Sequence, residues 1–325
     1  MSRKSMIQAI NEAMLQKMAE DDSIVVLGED VGVDGGVFRA TDSLYEKYGA
    51  ERVIDTPLAE SSIVGSAIGM AINGLKPLVE IQFMGFLYQG FDQILNNAAR
   101  MRHRTRGRYG LPMVVRMPYG AGVRAVEHHS ESTEAILAHI PGIKVVAPSN
   151  PADAKGLLVA AIEDPDPVIF LEPKRLYRIK KEEVPDEVYR VELGKANVAH
   201  PGDDITLVAW GGMVPVCLDA AKHVANEGVS AEVVDVRTVS PLDMETIAAS
   251  VQKTGRLVIV HEAPRSFGAG AEIAARVGET CLLYLLAPIQ RVTGYDIIPP
   301  LLKLENHNYP NTERVVRAIH KSMEF

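Results

Sequence analysis

The sequence predicts an α/β protein built from parallel sheets, because short apolar runs alternate with amphipathic helical segments along most of the chain. The apolar runs are continuous, which is typical of parallel strands buried on both faces. The alternation stops between about residues 172 and 204, where Lys, Glu, Arg and Pro are frequent, and then restarts. We therefore predict a first domain at residues 1–172, a linker at 173–204 and a second, smaller α/β domain at 205–325.

The elements of the first domain follow from local signals. Ser5 and Gln8 have capping-box spacing before apolar residues at helical intervals, so a helix is expected there. Asn150 and Pro151 form a good N-cap and first-turn pair for a later helix. The expected strands cover residues 23–27, 78–83, 113–117, 143–147 and 168–171, and a helical stripe is expected at Phe91, Ile94, Ala98 and Met101.

The second domain repeats this alternation over a shorter length. Its expected strands cover residues 205–209, 231–235, 257–261 and 289–293. Helices are expected from Val214, from Asp243 and from Gly270, and a last helix contains Val315, Val316 and Ile319. The chain shows no short-period repeat and no low-complexity tract.

Composition argues against several classes of function. The chain has 325 residues and a formal net charge of -8, whereas nucleic-acid binding favours basic patches. No apolar run approaches the roughly 20 residues that span a bilayer, and the first residues resemble no targeting leader. Cys217 and Cys281 lie far apart without metal-ligand spacing and are expected to be buried free thiols. We expect a cytoplasmic protein that binds neither nucleic acid nor membrane.

The stretch from Asp55 to Gly74 predicts an apolar helix with one carboxylate, Glu60, at its entrance. Pro57 suits the first turn, and Gly74 suits the C-terminal cap. Glycine inside a helix costs about 0.5–1 kcal/mol relative to alanine. Two glycines, at positions 65 and 69, therefore indicate that another backbone approaches this face. Glu60 has two interpretations at this point: an ordinary acid at a helix start or a chemical group at a site.

The common catalytic motifs are absent. The chain has no P-loop, no Gly-x-Ser-x-Gly elbow and no His-Glu-x-x-His, and Gly268-Ala-Gly270 does not continue into a dinucleotide-binding fingerprint. What remains is Glu60 and the adjacent pair His128 and His129, on a loop after a strand, where ligands of parallel sheets bind. A loop histidine can equally be a solvated bystander.

A set of short motifs stands in order along the chain. They are Gly28-Glu-Asp-Val31, Gly35-Gly-Val-Phe38, Asp55-Thr-Pro-Leu-Ala-Glu60, Glu80-Ile-Gln-Phe83, His129-Ser-Glu-Ser132, Pro141-Gly-Ile-Lys-Val-Val146, Asp153-Ala-Lys-Gly-Leu157 and Asp235-Val-Arg-Thr238. Together they resemble the beta subunit of the thiamine-dependent decarboxylating component of 2-oxo acid dehydrogenase complexes, from about Ile7 to Phe325. Members acting on pyruvate, branched-chain 2-oxo acids or acetoin share most of the set. The stretch from Glu172 to Arg178 and the doubled histidine resemble the branched-chain type more closely.

The resemblance implies a thiamine diphosphate-binding fold, with a pyrimidine-binding domain followed by a transketolase C-terminal-like domain. It implies that Glu60 hydrogen-bonds the aminopyrimidine ring of the cofactor and that Leu58, Gln82 and Phe86 line that ring. It also implies that His129 faces the reacting centre and assists transfer to the lipoyl group, with His128 behind it. The glycines beside Glu60 are then explained by a helix of another subunit.

The resemblance further implies a potassium ion, held by backbone carbonyls of Met113, Ala161 and Ile162 and by side chains of Asp164 and Asp166. Asp166 stands where relatives often have asparagine. From the residues alone, Asp164 and Asp166, which alternate with Pro165 and Pro167, equally predict a plain turn.

The magnesium motif of thiamine enzymes, Gly-Asp-Gly with a later Asn-Asn, is missing from the chain. The resemblance therefore implies that an alpha subunit supplies the diphosphate and Mg²⁺ half of the site in an α2β2 assembly. The second domain and Phe325 resemble the surface that docks the acyltransferase core. Alternatives are an acetoin dehydrogenase beta subunit, another transketolase-like half-enzyme, and a non-catalytic scaffold that kept the fold.

Overall fold

The structure is a computed structural model that describes residues 1–325, and it realises the helix-start signals of the sequence. The backbone N–H of Ser5 donates to Gln8 Oε1 at 3.0 Å, and Asn150 Oδ1 accepts from the N–H of Asp153 at 2.8 Å. Both first-domain helices begin where their caps predict. The helices are α1 (Met6–Glu20), α2 (Leu44–Tyr48), α3 (Glu60–Ile72), α4 (Leu87–Asp92), α5 (Met101–Arg104), α6 (Glu134–Ala138), α7 (Pro151–Glu163), α8 (Met213–Ala225), α9 (Met244–Thr254), α10 (Ala269–Cys281), α11 (Glu305–Asn308) and α12 (Thr312–Met323).

Every predicted strand is present, with shifted ends in most cases. Two match residue for residue, at 205–209 and 231–235. The strands are β1 (Ser2–Lys4), β2 (Ile24–Gly28), β3 (Val53–Asp55), β4 (Lys76–Glu80), β5 (Val114–Tyr119), β6 (Lys144–Val146), β7 (Val168–Pro173), β8 (Glu182–Val184), β9 (Asn197–His200), β10 (Ile205–Ala209), β11 (Ala231–Asp235), β12 (Thr238–Ser240), β13 (Leu257–Pro264) and β14 (Gln290–Gly294).

The larger sheet has seven strands in the order β12-β6-β7-β5-β4-β2-β3, all parallel except β12. Helices α1 and α7 pack on one face, and α3 packs on the other. The parallel strands bring the loops after β2, β3, β4 and β5 to one edge, which is where an open α/β sheet binds its ligands.

The smaller sheet has the order β14-β13-β10-β11-β9, with β9 antiparallel. Helices α8 and α12 belong to the core on one face. On the other face, α9 and α10 join a core of 38 buried residues that also contains Tyr119 and Leu171 of the larger sheet. The two halves of the chain therefore share one hydrophobic core.

Several features differ from the sequence prediction. The stretch 173–204, predicted as a linker, contains β8, which pairs with β1, and β9, which joins the smaller sheet. Strand β12 crosses to the larger sheet and pairs with β6. The predicted strand at 78–83 ends at Glu80, which frees Gln82 and Phe83 for the loop. The helical stripe at 91–101 is interrupted by a π-turn and a 3-10 turn.

Two smaller findings concern the thiols and the helices. Cys217 and Cys281 are buried and free. None of the helices combines the length and the apolar character that a membrane crossing requires.

Candidate active site at the edge of the larger sheet

A cleft of about 490 Å³ opens where the loops after β3, β4 and β5 meet. Its walls are the start of α3, the turn before α4 and the loop that carries the two histidines. The lining residues are Leu58, Ala59, Glu60, Ser61, Gly85, Phe86, Tyr88, Gln89 and His128.

Glu60 is the first residue of α3 and is 6% exposed. The exposed N–H groups and the dipole of the helix favour a negative charge at this position. No side chain or backbone N–H of the chain donates a hydrogen bond to its carboxylate, so the carboxylate is free to bind a ligand. Pro57 lies before the helix, outside the first turn predicted for it, because α3 begins three residues later.

The glycines of α3 do not meet another backbone within this chain. A Cβ at position 65 would meet only the side chain of Gln93 at 3.5 Å, and one at position 69 would meet nothing within 4 Å. The close approach inside the chain is made instead by Gly90 of α4, where a Cβ would lie 3.0 Å from the carbonyl oxygen of Glu60. The helix of another subunit, which the resemblance implies, stays a prediction.

Glu29 is a second buried carboxylate near Glu60, and sequence reasoning did not assign it a role. It follows directly on β2 and is 6% exposed, and neither of its carboxylate oxygens has a hydrogen-bond partner. Burial raises the pKa of Glu29, and the negative charge of Glu60 raises it further. With its pKa raised, Glu29 is protonated at a higher pH than an exposed glutamate would be. The signal in the sequence was the acid placed immediately after a buried apolar strand.

His129 lies in an aromatic layer beside the cleft. Its ring is 4.1 Å from the ring of Phe83 and 5.3 Å from that of Phe86, measured between centroids, in edge-on geometry. Its Nδ1 is buried without a hydrogen-bond partner. Burial lowers the pKa of His129, and the charges of Lys174 and His128 lower it further. The imidazole is therefore neutral near pH 7 and able to accept a proton.

The structure brings together most of the residues assigned by resemblance. Leu58, Glu60 and Phe86 line the cleft, and the edge-on ring of Phe86 connects them to His129. His128, which the resemblance places behind His129, itself lines the cleft. Gln82 is directed elsewhere, since its Nε2 donates to Asp30 Oδ2 at 2.9 Å. Leu58 is 80% exposed, so a ring in contact with its side chain would lie at the surface of this chain.

The residues of the predicted potassium site do share one corner of the domain, at the C-terminal end of α7. The N–H of Val168 donates to the carbonyl of Met113, and the N–H of Asp164 donates to that of Ala161, one residue before Ile162. Each carboxylate there already has a basic partner, because Asp164 pairs with Lys144 at 2.8 Å and Asp166 with Arg102 at 2.6 Å. This arrangement fits the plain turn that the residues alone predict equally well, and the potassium site stays a prediction.

The remaining candidate groups are metal-ligating side chains and the C-terminal Phe325. No three histidine, cysteine, aspartate or glutamate side chains of the chain converge so as to hold a metal ion. Phe325 follows α12 and is 67% exposed. Its side chain is therefore accessible to a partner.

Comparison with known proteins decides the family. Residues 2–180 match the family model described as transketolase, pyrimidine binding domain, and residues 194–315 match the transketolase C-terminal domain. The pyruvate dehydrogenase E1 component subunit beta of Acholeplasma laidlawii is 54% identical over 317 residues, covering 98% of this chain and 97% of the relative. The chain belongs to this family of E1 beta subunits.

Other relatives agree with the assignment. The protein of the same name in Bacillus subtilis strain 168 is 48% identical over 325 residues and is covered completely, as is this chain. A solved structure described as a split gene transketolase, inactive beta4 tetramer, matches with a TM-score of 0.80 at 24% identity and covers 99% of both chains. That likeness confirms the fold predicted from the resemblance. The two named relatives carry the pyruvate name, so they give no support to the branched-chain type.

The residues of the cleft fit the pyrimidine half of thiamine diphosphate, the cofactor of the E1 beta family. Both carboxylate oxygens of Glu29 are buried without a partner, Glu60 lines the cleft, and aromatic side chains surround the space beside them. Gly85 allows the loop of the two histidines to pack against the turn before α4, because a Cβ at this position would overlap the carbonyl of His128. An aromatic heterocycle with ring nitrogens and an amino group would donate hydrogen bonds to these carboxylates. Its flat face would pack against the aromatic side chains.

Proposed function

We propose that the chain is the beta subunit of the E1 component of a pyruvate dehydrogenase. In this function it takes part in oxidative decarboxylation of pyruvate and reductive acetylation of the lipoyl group of an acyltransferase. The observation that carries the proposal is the unpartnered buried carboxylate of Glu60 at the start of α3, in an aromatic cleft of a full-length relative of E1 beta subunits.

Thiamine diphosphate, when bound, supplies the nucleophilic carbon and the electron sink that decarboxylation of a 2-oxo acid requires. Glu60 would hold the pyrimidine ring by a hydrogen bond to a ring nitrogen and control the proton at that atom. Phe86 lines this side of the cleft and would exclude water there, which would strengthen that hydrogen bond. His129, kept neutral by its surroundings, would accept a proton during transfer to the lipoyl group.

The partners follow from the same assignment. We infer that an alpha subunit completes the site with the diphosphate and Mg²⁺ ligands and that the assembly is α2β2. The exposed side chain of Leu58 at the mouth of the cleft supports an interface there. We place the docking of the acyltransferase at the second domain near Phe325 and the protein in the cytoplasm, with no nucleic acid or membrane as partner.

The substrate is tested with the assembled enzyme. The chain and its alpha subunit are mixed with thiamine diphosphate and Mg²⁺, and decarboxylation of pyruvate and of 3-methyl-2-oxobutanoate is followed with an artificial electron acceptor. We expect pyruvate to give the higher kcat/KM by at least about tenfold, the range expected when a pocket must accommodate extra methyl groups. A higher kcat/KM for 3-methyl-2-oxobutanoate would assign the branched-chain type. Absence of activity on both would overturn the proposed reaction.

A further inference from the structure

The loop that carries His129 is attached to the second domain by two carboxylates. The backbone N–H of Ala121 donates to Glu262 Oε2 at 2.8 Å. The N–H groups of Gly122 and Arg124 donate to the two carboxylate oxygens of Glu305, at 3.2 and 2.9 Å. Glu262 and Glu305 are 5% and 4% exposed, and hydrogen bonds to a charged carboxylate are stronger than those between neutral groups.

The loop backbone is shaped around these carboxylates. Gly120, Gly122 and Arg124 all have φ in the left-handed region, at 76°, 115° and 51°. For Arg124 this conformation is unfavourable and must be stabilised by its surroundings. At the far end of the loop, the hydroxyl of Tyr309 donates to the carbonyl of Ser130 at 2.9 Å, one residue after His129. The second domain therefore fixes the loop at both ends.

Two basic side chains, Lys174 and Arg175, lie near these carboxylates. Lys174 is 4% exposed, and its Nζ donates to the carbonyl of Gly120. Burial lowers the pKa of Lys174 to about 8, against the opposing effect of Glu262 and Glu305. Arg175 lies 3.6 Å from Glu262. Glu305, unlike Glu262, forms no ion pair. Its carboxylate oxygens accept hydrogen bonds only from the loop backbone.

We propose that Glu305 is a positioning residue for His129, acting through the amides of Gly122 and Arg124 to fix the loop against the aromatic layer of Phe83 and Phe86. The proposal rests on the proposed function only for the role of His129 in the reaction. It makes the second domain part of the active-site machinery, because a carboxylate at the start of α11 sets the place of a histidine on the first domain.

The first measurement is amide hydrogen exchange on the chain in peptides covering residues 119–130, which does not depend on activity. We expect Glu305→Ala to speed exchange in these peptides by roughly 10- to 100-fold, because two charge-assisted hydrogen bonds to the loop backbone are lost. Asp243→Ala is the matched control. Asp243 is also buried and accepts two backbone N–H bonds, from Ala196 and Thr246, outside this loop. Unchanged exchange in the loop of the Glu305 variant would overturn the proposal.

The second measurement is a double-mutant cycle on acetyl transfer to a lipoyl domain by the assembled enzyme. Glu305→Ala alone should slow transfer by roughly 10- to 100-fold, since small misplacement of a reacting group costs this much. In the His129→Ala background it should have almost no further effect, because residues that act through one group are non-additive. Multiplicative losses would overturn the proposal.

The two measurements distinguish failure of the proposed function from failure of the proposal for Glu305. If the wild-type assembly has no activity, the proposed function fails, while the exchange result still decides whether Glu305 holds the loop. If Glu305→Ala does not fold, Glu305→Gln keeps one acceptor oxygen and is used in both measurements. Glu305→Asp should restore exchange protection in part, and protection no better than in the alanine variant would contradict a hydrogen-bonding role.

Discussion

Replacing Glu60 by glutamine is expected to reduce pyruvate decarboxylation by the assembled enzyme by about 10²–10⁴-fold, the contribution typical of a positioned acid–base group. Glutamine keeps the size of the side chain but cannot hold the negative charge or exchange the proton. The substitution should also leave the chain folded. Glutamine occupies the same space as glutamate, and loss of the charge at the start of α3 should cost no more than about 1 kcal/mol, so the thermal midpoint should change little.

The matched control for this prediction is Glu245→Gln. Glu245 also lies in the first turn of a helix, α9, but its side chain is 89% exposed. We expect full activity from this control. Full activity from Glu60→Gln in the same assay would show that Glu60 is only a helix-start acid, which is the other interpretation that the sequence allows.

Replacing Arg116 by methionine is expected to lower the free energy of unfolding of the chain by about 3–5 kcal/mol, the cost of leaving buried charges without their partner. The Arg116 guanidinium donates to both oxygens of Glu172, at 2.7 and 3.0 Å, and to Glu80 at 2.5 Å. All three side chains are at most 5% exposed. The hydroxyl of Tyr177 donates to Glu172 as well. Urea unfolding measures the change, provided that the dependence of the free energy on urea concentration is unchanged.

Arg102→Met provides the control for this second prediction. Arg102 pairs with Asp166 at 2.6 Å, but its side chain is 45% exposed, so its loss should cost less than about 1 kcal/mol. Adding Glu80→Gln and Glu172→Gln to Arg116→Met should recover part of the lost stability, because the two carboxylates left without a partner are replaced by neutral amides. A loss below about 1 kcal/mol for Arg116→Met alone would contradict the role given to this buried group.

The parts of the fold that the sequence predicts are those set by local signals. Strands β10 and β11 are short segments rich in apolar and β-branched residues, and their predicted ends agree with the structure. Strand β12 has three residues, Thr238–Ser240, and its partner β6 lies some ninety positions earlier in the chain. Strands β8 and β9 likewise depend on pairing with distant segments. Such pairings leave no periodic pattern in three or four residues, so they cannot be predicted from local sequence.

The residues of the candidate site also divide into those with a local sequence signal and those that depend on distant segments. Glu60 and the histidine pair stand out locally, as an acid before an apolar helix and as adjacent histidines after a strand. Glu29 was missed because its isolation from hydrogen-bond donors is visible only once the surrounding loops are in place. Glu262 and Glu305 were missed because their partners are backbone amides more than a hundred residues away. No side-chain pattern in the sequence reports such contacts.

The central claim is that this chain holds half of a thiamine diphosphate site and that the alpha subunit holds the other half. Calorimetric titration of thiamine diphosphate with Mg²⁺ into the chain, into the alpha subunit and into their mixture tests it most directly. We expect saturable binding only in the mixture, weakened there by Glu60→Gln. Binding to this chain alone with the affinity of the mixture would contradict the claim.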